Sequence, residues 1–348
     1  MFLSIDLAVI IEKLVLIIIV VMGSLVVAMY MTYGERKVAG LLQDRPGPNR
    51  AGPFGLLQPL ADGMKLFFKE EIVPAFSSKA LFIMGPALAM LTAIMTSAVI
   101  PWGDKVHFFD RDISLQIADV NIGILYVFGV VSLGVYGIMI GAWASNNKYS
   151  LLGGLRAASQ IISYELAMGI SIIALLMLTG TLSLKEMVLQ QQAGNWNIIY
   201  QPLGFMIFLI CAFAECNRTP FDLAEAESEL IGGYHTEYSS MKLGFYLFAE
   251  YINMFISSAV MASLYFGGYD MPFFNEAAHA DWGNWLALIG IAAFMFKIII
   301  FIFIFMWVRW TVPRFRYDQL MHLGWRILIP LALFNMLATG AAILYFGK

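Results

Sequence analysis

Residues 214–237 read AECNRTPFDLAEAESELIGGYHTE. This stretch holds six carboxylates, Glu215, Asp222, Glu225, Glu227, Glu229 and Glu237, against one fixed positive charge, Arg218. The whole chain carries 24 acidic residues, so a quarter of them lie here, between two long apolar runs. Crowded like charges beside a membrane must each stay solvated or find a partner. Such a segment is a poor device for stability, and it points to the handling of protons or cations.

The apolar flanks extend through the chain. Of 348 residues, 60% are hydrophobic and 13% charged, with a mean hydropathy of +0.76. Soluble domains carry about 25% charge, so this is an integral membrane protein. Eight runs meet or approach the roughly 20 apolar residues of a span. They lie near 8–30, 80–101, 120–143, 160–180, 202–216, 245–267, 285–308 and 326–346. Lipid offers no partner to a free backbone group, so all eight are expected as helices. The reading is an all-α protein of a single membrane domain, 1–348, with eight transmembrane helices and amphipathic surface helices in its cytoplasmic loops. The fifth run is short and is expected to extend a turn into the acidic stretch. The first run has no basic leader and no small-residue cleavage site, which marks a retained span.

Lys and Arg in the connections set the orientation. The loop 31–79 has seven, and with Lys148, Arg156, Arg218, Lys242, Arg309, Arg314, Arg316 and Arg326 the alternate connections total 15. The opposite side has four, Lys105, Arg111, Lys185 and Lys348. Both termini are therefore expected outside, with the acidic loop 217–244 facing the cytoplasm. The outer connection 268–284 reads as turns dressed with interfacial aromatics. Cys211 and Cys216 fit no metal or disulfide spacing. The histidines are scattered singly, which argues against an iron–sulfur, haem or zinc site built from this chain alone. A net charge of −3 argues against nucleic acid.

The first inner loop interleaves Pro46, Pro48 and Pro53 with Gly47, Gly52 and Gly55, which favours a fixed turn path displaying Arg36, Arg45 and Arg50. Beyond it Leu56, Leu60, Met64 and Phe67 recur at helical spacing, with Asp62, Lys65 and Lys69 on another face. That pattern suits a helix at the membrane surface. Together the two halves resemble an entrance for an amphiphilic ligand, although an interfacial helix with solvated charges fits the same residues. In the acidic stretch Thr219, Pro220 and Asp222 form a helix-start signature. A helix there places Asp222, Glu225 and Glu229 on one face, either as a solvated surface or as part of a proton path.

Charges also fall inside the spans. Glu165 and Glu250 each lie about six residues into a span, Glu215 closes the fifth, and Lys297 stands mid-span. The three acids are within about 10 Å of the inner surface. Lys297 is expected to face the protein interior and to need a carboxylate or water. Ionisable groups in spans mark functional paths by default, and together these suggest a buried polar route from the inner loops towards the bilayer centre. Arg309, Arg314 and Arg316 sit between aromatics. They read as a positive-inside anchor, as partners of the acidic loop, or as a dock for a soluble partner.

Several long motifs bear a family likeness: ERKVAG at 35–40, RPGPNRAGPFGLLQPLADGMKLFFKE at 45–70, SYELAMG at 163–169, AECNRTPFDLAEAESELIGGYHTEYSS at 214–240 and VPRFRYDQLMHLGW at 312–325. In that order they resemble the quinone-chamber membrane subunit of respiratory complex I, the H-type subunit family of NADH-quinone oxidoreductase. The resemblance implies a membrane subunit of the bacterial inner membrane with no redox centre of its own. It would anchor a hydrophilic arm, wall a chamber entered by quinone from the membrane, and couple quinone reduction to proton translocation. FMN, NADH and iron–sulfur clusters would belong to partner subunits, and adjacent small and antiporter-like membrane subunits would complete the complex. Carried over by motif, Arg36, Arg45, Asp62, Lys65, Lys69 and Phe221 belong to the chamber and its entrance. Glu215, Asp222, Glu225, Glu227, Glu229 and Glu237 form an acidic path. Glu165, Glu250 and Lys297 continue it towards the antiporter-like subunits, and helices two to six form an antiporter-like unit. Three other readings stand beside this one: the homologous membrane subunit of an energy-converting hydrogenase, a free-standing proton- or cation-coupled transporter, and a membrane anchor with no direct part in chemistry. The complete first-loop and acidic-loop motifs favour the quinone type.

Overall fold

The computed structural model describes residues 7–108, 111–225, 227–271 and 283–346. The outer connection therefore lies outside the described residues from 272 to 282, and so does the Glu227 side chain. Helix α1 (Leu7–Leu42) leads into a turn-rich loop and the amphipathic α2 (Gln58–Phe68). Next come α3 (Lys79–Thr96), a small antiparallel hairpin of β1 (Lys105–Phe108) and β2 (Arg111–Ser114), α4 (Gly123–Ala144) and α5 (Lys148–Thr179). Short helices α6 (Leu184–Ala193) and α7 (Asn197–Tyr200) precede α8 (Pro202–Glu215). Among its described residues the acidic segment holds the short α9 (Glu227–Leu230) and a 3₁₀ turn at Gly233–His235. Long helices α10 (Ser240–Tyr265) and α11 (Asn284–Thr311) follow. Then α12 (Tyr317–His322), a π-helical turn and α13 (Ile329–Phe346) run on as one rod.

Among the described residues seven helices are long and apolar enough to cross a membrane, which makes this a multi-pass membrane protein. The fifth apolar run behaves differently. It forms α8, a helix of 14 residues, and stops at Glu215 instead of extending into the acidic stretch. At 1.5 Å per residue it is about 21 Å long, short of the roughly 30 Å hydrocarbon layer. Most of its side chains pack inward: Ile207, Phe208, Cys211, Ala212 and Ala214 are buried.

The ends of α5 follow local rules. Asn147 caps its start by accepting from the Tyr149 N–H at 2.9 Å, and Gly180, at φ 68°, ends it. Helices α3 and α4 approach through small residues. A Cβ on Gly137 would stand 2.8 Å from the Ala89 nitrogen, and one on Gly141 would strike the Tyr246 hydroxyl. That close approach lets Tyr246 of α10 donate to the Gly137 carbonyl at 3.1 Å, while Tyr238 donates to the Phe82 and Gly141 carbonyls at 3.2 Å each. The outward faces of α1, with Ile10, Ile11, Leu14, Ile18 and Ile19, remain exposed as a lipid-facing surface requires.

Candidate functional site

The basic-loop end of the bundle holds the site, and it begins with how residues 216–239 are folded. The helix expected from Thr219 does not form. The chain instead threads into the bundle, because side chains of α5 capture its backbone. Gln160, fully buried, donates to the carbonyls of Ala214 and Phe221 at 2.7 Å each. Phe221 is buried between Tyr164 (ring centroids 5.2 Å) and Phe315 (5.4 Å), and the Phe315 N–H donates to the Pro220 carbonyl at 3.1 Å. A surface helix offers none of these partners, and burying Phe221 is worth about 2 kcal/mol.

The acids consequently do not share one face. Asp222 pairs with Arg314 at 2.7 Å, Glu225 lies 3.7 Å from His235, Glu229 pairs with Arg156 at 2.7 Å, and Glu237 accepts from Asn147 at 2.6 Å. Burial, added to the charge of Glu225, outweighs Arg314 and pushes the Asp222 carboxyl up to about 7. Burial, with the charges of Glu250 and Glu225 added, holds the Tyr234 phenol far above its ordinary range.

Arg218 is the centre of the site. Its side chain is 7% exposed, yet three side chains from two helices converge on it. Glu35 at the inner end of α1 lies 3.5 Å away, Glu250 of α10 lies 3.7 Å away, and the guanidinium stacks over the Tyr251 ring at 4.2 Å. Burial works against the Arg218 charge, but Tyr251, Glu250 and Glu35 more than compensate, and the group is held protonated. Glu35 also takes Arg309 at 2.5 Å and the Tyr251 hydroxyl at 2.8 Å. Glu250 accepts from the Tyr234 hydroxyl at 2.9 Å. From there two cavities of about 40 Å³ continue inward. Both are lined by Glu215, Cys216 and Asn253, and one also reaches Glu250 and Tyr234. Each is roomy enough for a water, with Glu215 and Asn253 as polar groups in largely apolar walls. Glu165 is hydrogen-bonded to Ser132 and lies close enough to act on Glu215 electrostatically.

Glu165, Glu215 and Glu250 lie near one another, and Lys297 stands at the far end of α10. Its ammonium is held by backbone among its partners. It donates to the carbonyls of Phe266 (2.7 Å), Gly268 (2.9 Å) and Asp270 (2.5 Å) and lies 4.6 Å over the Trp196 ring. Those carbonyls follow the far end of α10, about 20 Å of helix from Glu250. Of the three arginines, Arg314 reaches the acidic loop, Arg309 turns to Glu35 on α1, and Arg316 is exposed.

At the expected entrance Asp62 takes Arg36 at 2.7 Å and Lys65 at 3.7 Å, so these residues do meet. Arg45 bonds Gln43 at 2.8 Å, and Lys69 is exposed at the end of α2. Helix α2 is tied to α10 by Ser240, whose hydroxyl donates to the Leu66 carbonyl at 3.1 Å. Among the described residues no group of three or more His, Cys, Asp or Glu is placed to hold a metal ion. Glu35, Tyr234, Tyr251, Gln160 and Asn253 were not singled out from the sequence. The ERKVAG run was the one available signal for Glu35.

Residues 14–340 match the family model described as NADH dehydrogenase. The chain is 65% identical over 335 residues to the first of the H-type subunits of NADH-quinone oxidoreductase in Cytophaga hutchinsonii, covering 96% of this chain and 97% of that protein. It is 66% identical over 341 residues to the H-type subunit of Flavobacterium psychrophilum, covering 98% and 99%. Against the first H-type subunit of Geobacter metallireducens it is 48% identical over 337 residues, 97% of each chain. Likeness of this extent, running from α1 to α13 without a break, makes the chain a member of the NADH dehydrogenase family, alongside the bacterial H-type subunits of NADH-quinone oxidoreductase.

Proposed function

We propose that this chain forms the quinone chamber of a proton-pumping NADH:quinone oxidoreductase in the bacterial inner membrane, anchors the hydrophilic arm, and couples quinone reduction to proton translocation. The observation that carries the reading is the cluster of buried polar groups made by Asp222–Arg314, on which Arg218 acts electrostatically, by Glu35–Arg218–Glu250, and by the cavities that reach from Glu250 to Glu215. Closely spaced buried carboxylates titrate as a unit, so a charge change at one group alters proton occupancy across the cluster. Arg36, Asp62, Lys65 and Lys69, beside the membrane-surface helix α2, are where quinone would enter, with Arg45 and Phe221 further along the chamber. Glu225, Glu227, Glu229 and Glu237 extend the acidic path, and Glu165 continues it towards antiporter-like subunits. Lys297 acts as an anchor for the turn after α10, outside that path. Exposed Arg316 is available to the docked arm, while Arg314 braces the loop from inside and Arg309 holds Glu35 of α1.

In this reading α8 is a short eighth span, helices α3 to α10 include an antiporter-like unit, and both termini face outward. Electrons reach quinone from FMN and iron–sulfur clusters of partner subunits, and this chain supplies walls, charges and proton sites. The test is Glu250→Gln in inside-out vesicles containing the assembled complex. Quinone-dependent NADH oxidation and acidification of the lumen are followed in the same sample. Loss of both, or of acidification alone, by tenfold or more is expected, and full retention of both overturns the coupling role.

A further inference from the structure

The contact between Glu225 and His235 in the acidic loop is not closed. Oε1 and Nδ1 are 3.7 Å apart. Both atoms are sealed from solvent, and neither has a hydrogen-bond partner. A buried carboxylate oxygen and a buried ring nitrogen left unsatisfied face to face represent a desolvation cost that a proton between them would relieve. The backbone is held on both sides. The Tyr234 N–H donates to the Ala224 carbonyl at 3.4 Å, and the His235 carbonyl accepts from the Tyr238 N–H at 2.9 Å. The imidazole stands edge-on to the Tyr234 ring at 5.1 Å and 86°, and the Tyr234 hydroxyl is the donor to Glu250. A short path thus leads from His235 to the centre of the buried cluster, and Glu225 itself acts electrostatically on Asp222, Arg218 and Tyr234.

We propose that His235 is the proton-exchanging partner of Glu225, and that the pair sets how much negative charge the acidic loop presents to Glu250. The inference rests on the function proposed above and deepens it. A proton on Nδ1 can pass to Oε1, turning imidazolium and carboxylate into imidazole and carboxylic acid, and can return by the same path. Gain or loss of a proton through the exposed fifth of either side chain changes the net charge of the pair by one. Imidazole is the side chain that ordinarily changes charge between pH 5 and 8. The charges on the helices packed around the pair are engaged elsewhere. Helix α5, packed against the 233–235 turn, brings Arg156, which is engaged by Glu229, Lys148, which lies over the Tyr149 ring, and Glu165, which is bonded to Ser132. Helix α4, packed there too, carries only Tyr126 and Tyr136 as ionisable groups.

The experiment uses the complete complex in two forms. In inside-out vesicles, NADH oxidation and lumen acidification are profiled from about pH 6 to 8.5, the range in which imidazole titrates, for the parent, His235→Gln, Glu225→Gln and the double substitution. The parent is expected to show an inflection in the acidification-to-oxidation ratio. Either substitution flattens it at least threefold, and the double substitution adds nothing further. An unchanged inflection in His235→Gln, or additive effects in the double substitution, overturns the pair. Separately, infrared difference spectra between pH 6 and 8 are taken on the purified complex without substrate. Loss of a carboxyl band in His235→Gln, matching the band lost in Glu225→Gln, supports the pair, and its retention overturns it. Because this second readout needs no turnover, absence of quinone-dependent oxidation in the parent would count against the function and leave the pair decided by the spectra.

Discussion

Arg218 shows how much a single side chain can hold. Its guanidinium joins α1, α10 and the acidic loop, and its removal leaves Glu35 and Glu250 as buried carboxylates, Glu35 with Arg309 as its remaining cation. Arg218→Met is expected to cost about 3–5 kcal/mol, read as loss of assembled complex on a native gel. Arg218→Lys should fall between it and the parent, since a point charge cannot reproduce a planar fork. Asp222 gives a pH dependence with a defined sign. Its carboxyl rises from an ordinary 3.8 to about 7 in the folded protein. Between these values the folded loop keeps a proton that the unfolded chain has released, so this contribution to stability is full at low pH and is lost as pH climbs towards 7. Asp222→Asn should remove that slope. The check is the difference in thermal midpoint between parent and variant complex across pH 4–8. Asp222 was legible as an acid in a charge-rich loop. Glu35 was not, because an acid followed by Arg36 and Lys37 looks exposed until α11 delivers Arg309 to it.

At the scale of elements, hydrophobic runs located the helices well, since lipid forces every backbone group in a span into a helix. The seventh run, expected at 285–308, appears as Asn284–Thr311. The acidic segment was misread for a reason that is equally physical. Its capping signature describes a helix free in solvent, while Gln160 and the Phe221 pocket on other helices bind it in another path. The glycines of α3 and α4 carry the next prediction. Gly141→Val drives a side chain into the Tyr246 and Tyr238 hydroxyls that bridge α3, α4 and α10. Overpacking of this kind costs about 1–3 kcal/mol, and the yield of folded complex should fall accordingly. Gly23→Ala, where a Cβ meets nothing within 4 Å, is the neutral control.

Across the whole molecule, charge and hydropathy are segregated along the bundle axis. The basic connections, the acidic loop and the Arg218 cluster lie at one end, and the small hairpin and the Lys297 cage lie at the other. The positive-inside rule gives the expectation that the Arg218 end faces the cytoplasm. A protease-sensitive tag fused after Lys348 should therefore be cut in intact spheroplasts and protected in inside-out vesicles, and the reverse pattern would invert the topology. The long-range arrangement was legible only through motif resemblance, because single-sequence patterns identify spans but not which neighbours they choose.

Helix α1 has 36 residues, about 54 Å of unbroken rod, against a hydrocarbon layer of roughly 30 Å. One end of that rod is immersed in lipid, and the other carries Glu35 into the grip of Arg218 and Arg309. A bilayer that shifts or tilts α1 to match its apolar length is therefore expected to move Glu35 against the two arginines, which would make acyl-chain length a physical input to the ion pairs at Arg218.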